Sequence, residues 1–401
     1  MAGSEKKERI VFYKLLFTII ILLGYILGRG FPLYGVDIKA YHGMALDAED
    51  LLMQTVGGDA YRYSLFALGI SPYIISSITT QMVTAYRKSV SKVKVSMIKT
   101  NRATAIMTFL IALVQAFMHV QELKFQSFGT MLWVAQIAAG AEMVTGVMLI
   151  MWMSERNKRF GIGGQTVLII ANIMDGMIGT LGGKTLEVLE IPLIVSAVVL
   201  PIMILMENTE KRIPVQRISI RNIYADKNYL AVKLNPIGVM PIMFSTAFFM
   251  LPQLVVNGLG YFFPENQDIA WWIENMKLTR PLGILCYVGI IYILTIIFSM
   301  VMLSPGELSE QFLKSGDSIV DLHSGRSTKR YLRGTIIRIS LLSATVMGAC
   351  VCVPLILQMR GSMDGALVMF PSSIMMLTGL WSNLFREFEA IKSFDGYKSF
   401  L

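Results

Sequence analysis

The sequence has few charged residues, few cysteines and few histidines, and each shortage excludes a class of protein. Charged residues make up 16% of the 401 positions, whereas a soluble domain usually has about 25%. The three cysteines, Cys286, Cys350 and Cys352, lie in apolar stretches without metal-ligand spacing, so we expect neither a disulfide framework nor a metal site. The three histidines are far apart in the sequence, which does not support a zinc enzyme.

Two glycine-rich segments approach nucleotide-binding motifs, and each lacks a required glycine. Gly179–Thr185 reads GTLGGKT, but Ile178 stands where a phosphate-binding loop begins with glycine. Gly161–Gly164 has Thr166 in place of the last glycine of a dinucleotide fingerprint. No G-x-S-x-G nucleophile elbow occurs either. We therefore predict a protein without enzymatic activity and without a cofactor.

Long apolar runs dominate the sequence instead. Hydrophobic residues account for 54% of the chain, and the mean hydropathy is +0.58. A membrane-spanning helix needs roughly 17–25 mostly apolar residues, and the pattern predicts ten spans, of which the first, fifth and sixth are short. The spans cover approximately Leu15–Leu27, Leu65–Val83, Ala103–Val120, Met131–Met153, Thr166–Leu181, Ile191–Met206, Pro236–Val256, Leu282–Leu303, Thr335–Leu357 and Ala366–Leu384. The fold class that follows is an all-α polytopic membrane protein with ten transmembrane helices.

The basic residues are concentrated in alternate loops between these spans. One side holds both termini and the loops 86–102, 154–165, 207–235 and 304–333, and together with the nearby Arg338 it has 28 of the 36 Lys and Arg residues. In membrane proteins the side richer in Lys and Arg is the cytoplasmic one. We therefore predict a multi-pass protein of the cell membrane with both termini in the cytoplasm. The first span should remain as a helix, because no small-residue cleavage site follows it.

Two acidic residues are predicted at membrane depth, where ionisable groups are candidates for function. Glu142 lies in the middle of the fourth span, and Asp175 lies late in the fifth. An ion-coupled secondary transporter could use such residues. Alternatively, each carboxylate faces a water-filled cavity or a polar group of a neighbouring helix.

Residues 51–59 are apolar at first but far too few to span a bilayer. Leu51–Val56 is followed by Gly57, Gly58 and the polar Asp59. Irregular backbone at membrane depth must be buried in protein or line a cavity, and transporters with broken helices give the same signal. An amphipathic helix on the outer surface is the alternative.

Two loops on the predicted cytoplasmic side, 207–235 and 304–333, are longer than most connections, at about 30 residues each. Pro214 follows Lys211–Ile213 and indicates a formed turn or hairpin in the first loop. Orientation beside anionic lipid head groups would need only a few of the basic residues in these loops. We therefore favour a docking surface for a large cytoplasmic partner.

Five segments carry motifs that occur in the same order in one known family. They are Lys14–Asp37 with its Pro-x-x-Gly turn, Phe66–Ile78 (FALGISPYIISSI), Gly161–Ile169 (GIGGQTVLI), Glu210–Gln216 (EKRIPVQ) and Asn235–Phe244 (NPIGVMPIMF). They resemble signatures of SecY, the pore subunit of the Sec protein-translocation channel. The resemblance runs nearly end to end and keeps the family's topological positions.

The resemblance implies two five-helix halves related by an inverted pseudo-twofold, residues 1–185 and 186–401, with a hinge near 182–190. It implies a plug at about 51–59, formed by Leu51, Leu52, Val56, Gly57 and Gly58. It also implies a lateral gate between the second and third helices on one side and the seventh and eighth on the other. Gln115 and Asn235 match polar positions of that gate.

The resemblance further implies a central constriction of aliphatic side chains. By alignment it would comprise Ile74, Ile78, Ile170, Met174, Met243 and Leu377. A narrow apolar collar dewets and so blocks ions without specific ligands. Methionine side chains are flexible enough to fit varied polypeptides.

One loop departs from the family. Where SecY continues with a run like GGFIPGIRPG, Gly316–Gly325 reads GDSIVDLHSG. His323 takes the position of the family's prominent arginine, and this loop tip is where the SecA motor and the ribosome engage ordinary SecY. The docking residues expected from charge and alignment together are Lys211, Arg212, Arg217, His323, Arg326, Lys329 and Arg330.

The chain is also somewhat short for the family and resembles the accessory SecY of certain Gram-positive cocci. The implied function is a protein-conducting channel that passes unfolded preproteins, among them serine-rich glycosylated adhesins, driven by a dedicated SecA-type ATPase. The implied partners are that motor, a SecE-like small membrane subunit or accessory equivalents, the preprotein and membrane lipids, but no nucleic acid. A housekeeping SecY channel, an ion-coupled transporter and a scaffold or insertase without a full pore stay open as alternatives.

Overall fold

The computed structural model describes residues 2–37, 63–91, 96–126, 131–181, 184–216, 228–246, 248–249, 252, 256, 267–320, 322–323 and 325–394. Some predicted site residues lie outside the described residues. They are the plug residues Leu51, Leu52, Val56, Gly57 and Gly58 and the docking residue Arg217.

Most of the described residues are helical, which confirms the predicted all-α class. The helices are α1 Ala2–Arg29, α2 Ser71–Ser91, α3 Met97–Glu122, α4 Leu132–Phe160, α5 Gln165–Leu181, α6 Leu186–Asn208, α7 Gln267–Asn275, α8 Pro281–Leu303, α9 Pro305–Ser315, α10 Arg326–Met359 and α11 Phe370–Phe394. Residues 240–246 are also helical. Three short strands are β1 Glu210–Gln216, β2 Tyr229–Lys233 and β3 Ser318–Ile319.

Each of the ten predicted spans falls on helical residues of the described chain, with shifts at the ends. In the second span, α2 begins at Ser71 rather than at Leu65. Six helices of the described chain are long and apolar enough to cross a membrane, and Gln165–Leu181 is a shorter apolar helix. Helix α2 is not among the six, and its sequence contains many polar residues, of which Ser76 and Thr80 are buried.

The described chain divides into two compact units. Unit 1 is Met1–Gln81, Ser96–Leu189 and Gly365–Leu401, and unit 2 is Met82–Val95 and Glu190–Asp364. Helix α11 therefore belongs with the N-terminal helices, because it packs against α1 and α5. The division into halves at 185/186 stays a prediction.

Unit 1 is held together by helices that approach one another closely. Helix α4 packs against α1, α3 and α5. Small residues occur where α3 meets α4, since Ala112, Ala116 and Ala139 belong to one buried cluster. Small side chains let helix backbones come close, which is the usual basis of helix association in a membrane. A Cβ atom at Gly146 would overlap the carbonyl oxygen of Leu65, so only glycine fits there.

Unit 2 combines a helix pair with a small sheet. Helix α8 packs along α10, and α9 also packs on α10. Strand β1 pairs antiparallel with β2, from Glu210 opposite Lys233 to Pro214 opposite Tyr229, which confirms the predicted hairpin. Strand β1 also pairs antiparallel with β3. The order β2-β1-β3 therefore joins the two long basic loops in one sheet.

Candidate translocation path and docking platform

Five of the six predicted constriction residues belong to unit 1. Ile74 and Ile78 lie one turn apart on α2, and Ile170 and Met174 lie one turn apart on α5. Residues four apart share one face of a helix. Leu377 lies on α11, which packs against α5. The structure thus brings the helices of three of these residues into contact.

The constriction residues differ in exposure. Ile74, Ile78 and Ile170 are buried, whereas Met174 is 49% exposed. Met243, the sixth residue, is buried in the helical residues 240–246 of unit 2. The grouping of all six into one ring stays a prediction.

The predicted gate residue Asn235 lies at the centre of a buried polar contact in unit 2. Its Nδ2 donates to Oε1 of Glu207 over 2.9 Å, and its Oδ1 accepts from Oγ of Ser343 over 3.1 Å. All three residues are buried. The contact ties the end of α6 and the start of the seventh span to α10. A buried carboxylate is tolerated when it accepts hydrogen bonds in this way.

The other predicted gate residue, Gln115, links α3 to the start of α2. Oγ of Ser71 donates to its Oε1 over 3.5 Å, at the limit of a hydrogen bond. Further along both helices, the hydroxyls of Ser76 and Thr108 bond to each other in a buried contact. Two polar contacts therefore join the second and third helices within unit 1.

The two acidic residues at membrane depth have partners in the structure. Asp175 forms a salt bridge of 3.2 Å with Arg29, the last residue of α1. Arg29 also donates to the buried Asn172. Oε2 of Glu142 accepts a 2.9 Å hydrogen bond from the backbone N–H of Tyr34. Both carboxylates thus tie helices of unit 1 to the end of α1 or to the turn after it.

The segment that resembled a dinucleotide fingerprint is a structural turn between α4 and α5. Asn157, which is buried, donates to the carbonyls of Ile162 and Gly164 at 3.0 and 2.9 Å. Its Oδ1 accepts from Oγ1 of Thr18 over 2.9 Å. Gly163 and Gly164 both have positive φ, which favours glycine. The glycines therefore serve the backbone of this turn.

The sheet of unit 2 forms the core of the candidate docking platform, which we define as β1–β3 with α9 and the first two turns of α10. Its buried side is a cluster of Ile213, Val232, Ile319, Leu332 and Ile339. Each strand and α10 contribute to this cluster, so the two long loops and the helix that follows them form one folded unit. The sequence interpretation placed both loops on one surface, and the structure joins them through the β1–β3 pairing.

The first two turns of α10 carry a basic stripe opposite this cluster. Arg326, Lys329, Arg330 and Arg333 are exposed and follow the i, i+3, i+4, i+7 spacing of a single helix face. Basic residues in the first turn of a helix oppose its macrodipole, and Arg326 and Lys329 lie in that turn. Their position is therefore unfavourable for the helix itself but suited to an acidic partner.

The loop tip before α10 is anchored by hydrogen bonds to its backbone. Oγ of Ser309 donates to the carbonyl of Gly325 over 2.7 Å, and Oγ1 of Thr328 donates to the carbonyl of His323 over 2.9 Å. The His323 side chain is exposed. The exposed imidazole of His323 therefore extends from a residue whose carbonyl is held by a hydrogen bond from Thr328.

The predicted docking residues on β1 differ in their contacts. Lys211 is exposed. Arg212 bonds to Glu210 over 2.9 Å and lies over the ring of Tyr229, 4.7 Å from its centroid. The hydrogen bond to Glu210 raises the pKa of Arg212 above its usual value. Arg212 is thus partly engaged in the sheet itself.

Sequence reasoning missed several residues that the structure brings into these sites. Glu207, Arg29, Thr18 and Asn157 were not singled out. The partners that they bind lie 28 to 146 residues away in the sequence. One signal was available for Arg29. An arginine at the end of an apolar span indicates that an acidic side chain pairs with it.

Comparison with known families gives one match that covers most of the chain. A family model described as SecY matches residues 64–384. A protein of Leuconostoc gelidum subsp. gasicomitatum, "Accessory Sec system protein translocase subunit SecY2", is 26% identical, with 97% of each chain covered. A protein of the same description from Streptococcus sanguinis is 28% identical, with 98% of each chain covered.

Solved structures give the same fold. A structure described as "The structure of a protein conducting channel" has a TM-score of 0.69 at 14% identity, covering 98% of this chain and 95% of that one. The chain described as "Sec61 in the Canine ribosome-channel complex from the endoplasmic reticulum" has a TM-score of 0.65 at 15% identity, with the same coverage.

Proposed function

The chain belongs to the SecY family, and from this premise we propose that it is the channel subunit of an accessory Sec translocase. It passes unfolded preproteins across the cytoplasmic membrane and performs no chemistry itself. The energy comes from a SecA-type ATPase that docks on the basic platform of unit 2. As a member of this family the chain is a multi-pass membrane protein, and the alternation of basic loops supports cytoplasmic termini.

The observation that carries the proposal is the docking platform. Orientation in a bilayer requires basic residues in the loops, but it does not require that two separate loops form one sheet with a basic helix face beside it. The altered tip at His323 favours a dedicated motor over the housekeeping one. The end-to-end similarity to relatives described as accessory subunits supports the same choice. Serine-rich glycosylated adhesins are the substrates that the resemblance implies, and a SecE-like small subunit is the implied membrane partner.

The transporter alternative loses its main support. Asp175 is paired with Arg29, and Glu142 accepts a backbone hydrogen bond. Both contacts are the kind that a structural carboxylate makes, and a proton carrier would have to release them in every cycle.

The proposal is tested by motor binding to the purified protein in lipid nanodiscs. Arg326→Glu with Arg330→Glu should weaken binding of the matching SecA-type motor by about tenfold or more at low ionic strength, and by less in high salt. The matched control reverses the exposed Lys99 and Arg102 at the start of α3, a charge change of the same size on the same predicted side. Unchanged affinity in the platform variant, or an equal loss in the control, would contradict the proposal.

A further inference from the structure

Helix α7 carries two exposed tryptophans side by side. Trp271 is 52% exposed and Trp272 is 45% exposed. Their rings meet edge to face with 5.4 Å between the centroids, so they form one aromatic pair. With 9 residues, α7 is far shorter than the roughly 17–25 residues that a membrane span needs. The helix therefore displays two large apolar side chains without crossing the bilayer.

A tight turn, which we call the elbow, joins α7 to the start of α8. It covers residues 276–280, and within it Leu278 is buried. A Cβ atom at Gly283 would overlap the carbonyl oxygen of Lys277, so the backbone of the elbow lies directly on the first turn of α8. Arg280 forms a salt bridge back to Glu274 of α7. Close backbone packing, a buried side chain and an ion pair thus hold α7 against the end of α8.

The elbow places α7 at the depth where the bilayer ends. Helix α8 begins at Pro281 and is apolar enough to cross a membrane. Leu285, Ile293 and Ile297 are exposed on α8, and their spacing of eight and four residues puts them on one face, which meets lipid. Since α7 packs on α8 beside its first turn, the tryptophan pair lies near the lipid-covered end of the span. Tryptophan is enriched at this level of membrane proteins.

A protein is the less suitable partner for the tryptophan pair. The exposed halves of two tryptophan side chains amount to roughly 200 Å², whereas a specific protein interface buries about 800 Å² on each partner. The exposed residues of α7 around the pair are polar, namely Gln267, Asp268 and Glu274. In the described part of the chain the patch is therefore too small for a stable protein contact, but two indoles are enough to enter a lipid interface.

The charge of α7 and the elbow does not favour an acidic head group. Residues 268–280 contain two acidic side chains and two basic ones, Asp268, Glu274, Lys277 and Arg280, so their formal charges cancel. The strength with which an interfacial helix binds depends on its buried apolar area and on attraction to anionic lipid. For α7 only the first contribution is available, so its attachment should depend neither on lipid charge nor on salt.

We propose that α7 is an interfacial helix that anchors the end of α8 on the predicted outer side, with the indoles of Trp271 and Trp272 among the head groups of neutral phospholipids. The indole suits this layer because its ring is apolar and its N–H can donate to water or to a head group. The elbow fixes α7 against Gly283, so indoles held at the interface also fix the depth of the first turn of α8. This anchoring requires only that α8 spans the bilayer, and it is independent of motor docking.

Fluorescence quenching of the full-length protein in lipid nanodiscs tests the depth of the two indoles. A variant that we call the pair variant keeps Trp271 and Trp272, and phenylalanine replaces the other tryptophans, Trp133, Trp152 and Trp381. Phosphatidylcholine with bromine near the head group should quench the pair variant about twofold more strongly, or better, than phosphatidylcholine with bromine near the chain ends. The depth reference has phenylalanine at all five native tryptophans and carries Ile293→Trp in the middle of α8, and it should show the reverse order.

The quenching of the pair variant should stay the same when phosphatidylglycerol replaces part of the phosphatidylcholine and when the salt concentration is raised. The proposal is overturned if neither brominated lipid quenches the pair variant, or if the order of quenching equals that of the depth reference. A requirement for phosphatidylglycerol or for low salt would overturn it as well. So would a photo-crosslinker at Trp272 that captures a polypeptide rather than lipid in native membranes.

Hydrogen exchange in the same nanodiscs tests whether the tryptophan pair anchors α8. The amides of Met276, Arg280 and Ile284 bond to backbone carbonyls at 3.0, 3.0 and 3.1 Å in the elbow and the first turn of α8. Trp271→Ser with Trp272→Ser should speed their exchange by about tenfold or more, because the buried area that holds the elbow at the interface is lost.

Trp133→Ser is the matched control, because Trp133 is 62% exposed in the first turn of α4 on the same predicted side. It should leave exchange in the elbow within about twofold of the parent protein. Equal exchange in the double serine variant and the parent would overturn the anchoring. Both variants should melt within about 3 °C of the parent, and a larger fall in the double variant would assign the tryptophan pair to the folding of unit 2, against the proposal.

Discussion

The contact between Asn235, Glu207 and Ser343 gives the sharpest test of unit 2. In Asn235→Ala, the Glu207 carboxylate loses a 2.9 Å amide donor, and Ser343 loses its 3.1 Å acceptor. A hydrogen bond to a charged group contributes about 1.5–3 kcal/mol and a neutral one about 0.5–1.5 kcal/mol. Because all three residues are buried, water cannot replace the lost partners. We therefore expect a loss of about 2–4 kcal/mol in the stability of unit 2.

Thermal unfolding of the purified protein measures this loss. Cys350 is buried in α10, so a thiol-reactive dye reports when this part of unit 2 opens. For a unit of this size, 1 kcal/mol shifts the melting temperature by about 2–4 °C, and Asn235→Ala should lower it by about 5–15 °C. The contribution of Ser343 to stability is tested separately, by comparison with Ser340, which lies one turn earlier on α10.

Ser340 is the matched control because, among the described residues, its hydroxyl bonds only to the Ile336 carbonyl of its own helix, over 2.7 Å. Ser343→Ala should cost more than Ser340→Ala. It should also cost little when Asn235 is already alanine, because the two residues share one hydrogen bond. The reasoning is refuted if Asn235→Ala shifts the melting temperature by less than about 2 °C. It is also refuted if the two serine variants are equal and the Asn235 and Ser343 effects simply add.

Three further predictions concern unit 1. Asn157→Ala removes three buried hydrogen bonds and should lower stability by about 2–4 kcal/mol, measured by thermal unfolding. A change below about 0.5 kcal/mol would show that the turn between α4 and α5 does not depend on the Asn157 side chain. Gly146→Ala should cost about 1–3 kcal/mol, because its Cβ would overlap the Leu65 carbonyl oxygen, and a neutral result in the same assay would exclude that close approach. Glu142→Gln keeps an acceptor for the Tyr34 N–H, so preprotein transport in vesicles should stay near the parent level, whereas loss of a proton-coupled flux would favour the transporter.

The helical spans and the hairpin were predictable because their signals are local. Runs of about 20 apolar residues have few explanations other than a membrane helix. Pro214 after Lys211–Ile213 indicated the hairpin, which the pairing of β1 with β2 confirms. The start of α2 was predicted too early, because Leu65–Ile70 is apolar enough to extend the pattern but forms turns instead. Hydropathy alone does not separate a turn from the first turn of a helix.

The contacts that define the sites were not predictable from such signals. Strand β3 has two residues, too few for an alternating pattern, so its pairing with β1 left no trace in the sequence. Asp175 was singled out at membrane depth, but a single sequence gives no means to pair it with Arg29, 146 residues away. Glu207 resembled an ordinary charge at a loop boundary, and only its burial beside Asn235 distinguishes it.

The central claim, that a polypeptide passes through the apolar constriction, is tested most directly by site-specific photo-crosslinking to an arrested preprotein. A crosslinker replaces Ile78 or Met174, and in control variants it replaces Phe117, which is 68% exposed on α3. With the matching motor and ATP, a preprotein halted by a folded C-terminal domain should crosslink to positions 78 and 174 and not to 117. Equal crosslinking at all three positions, or none at 78 and 174 while the motor is active, would contradict the account.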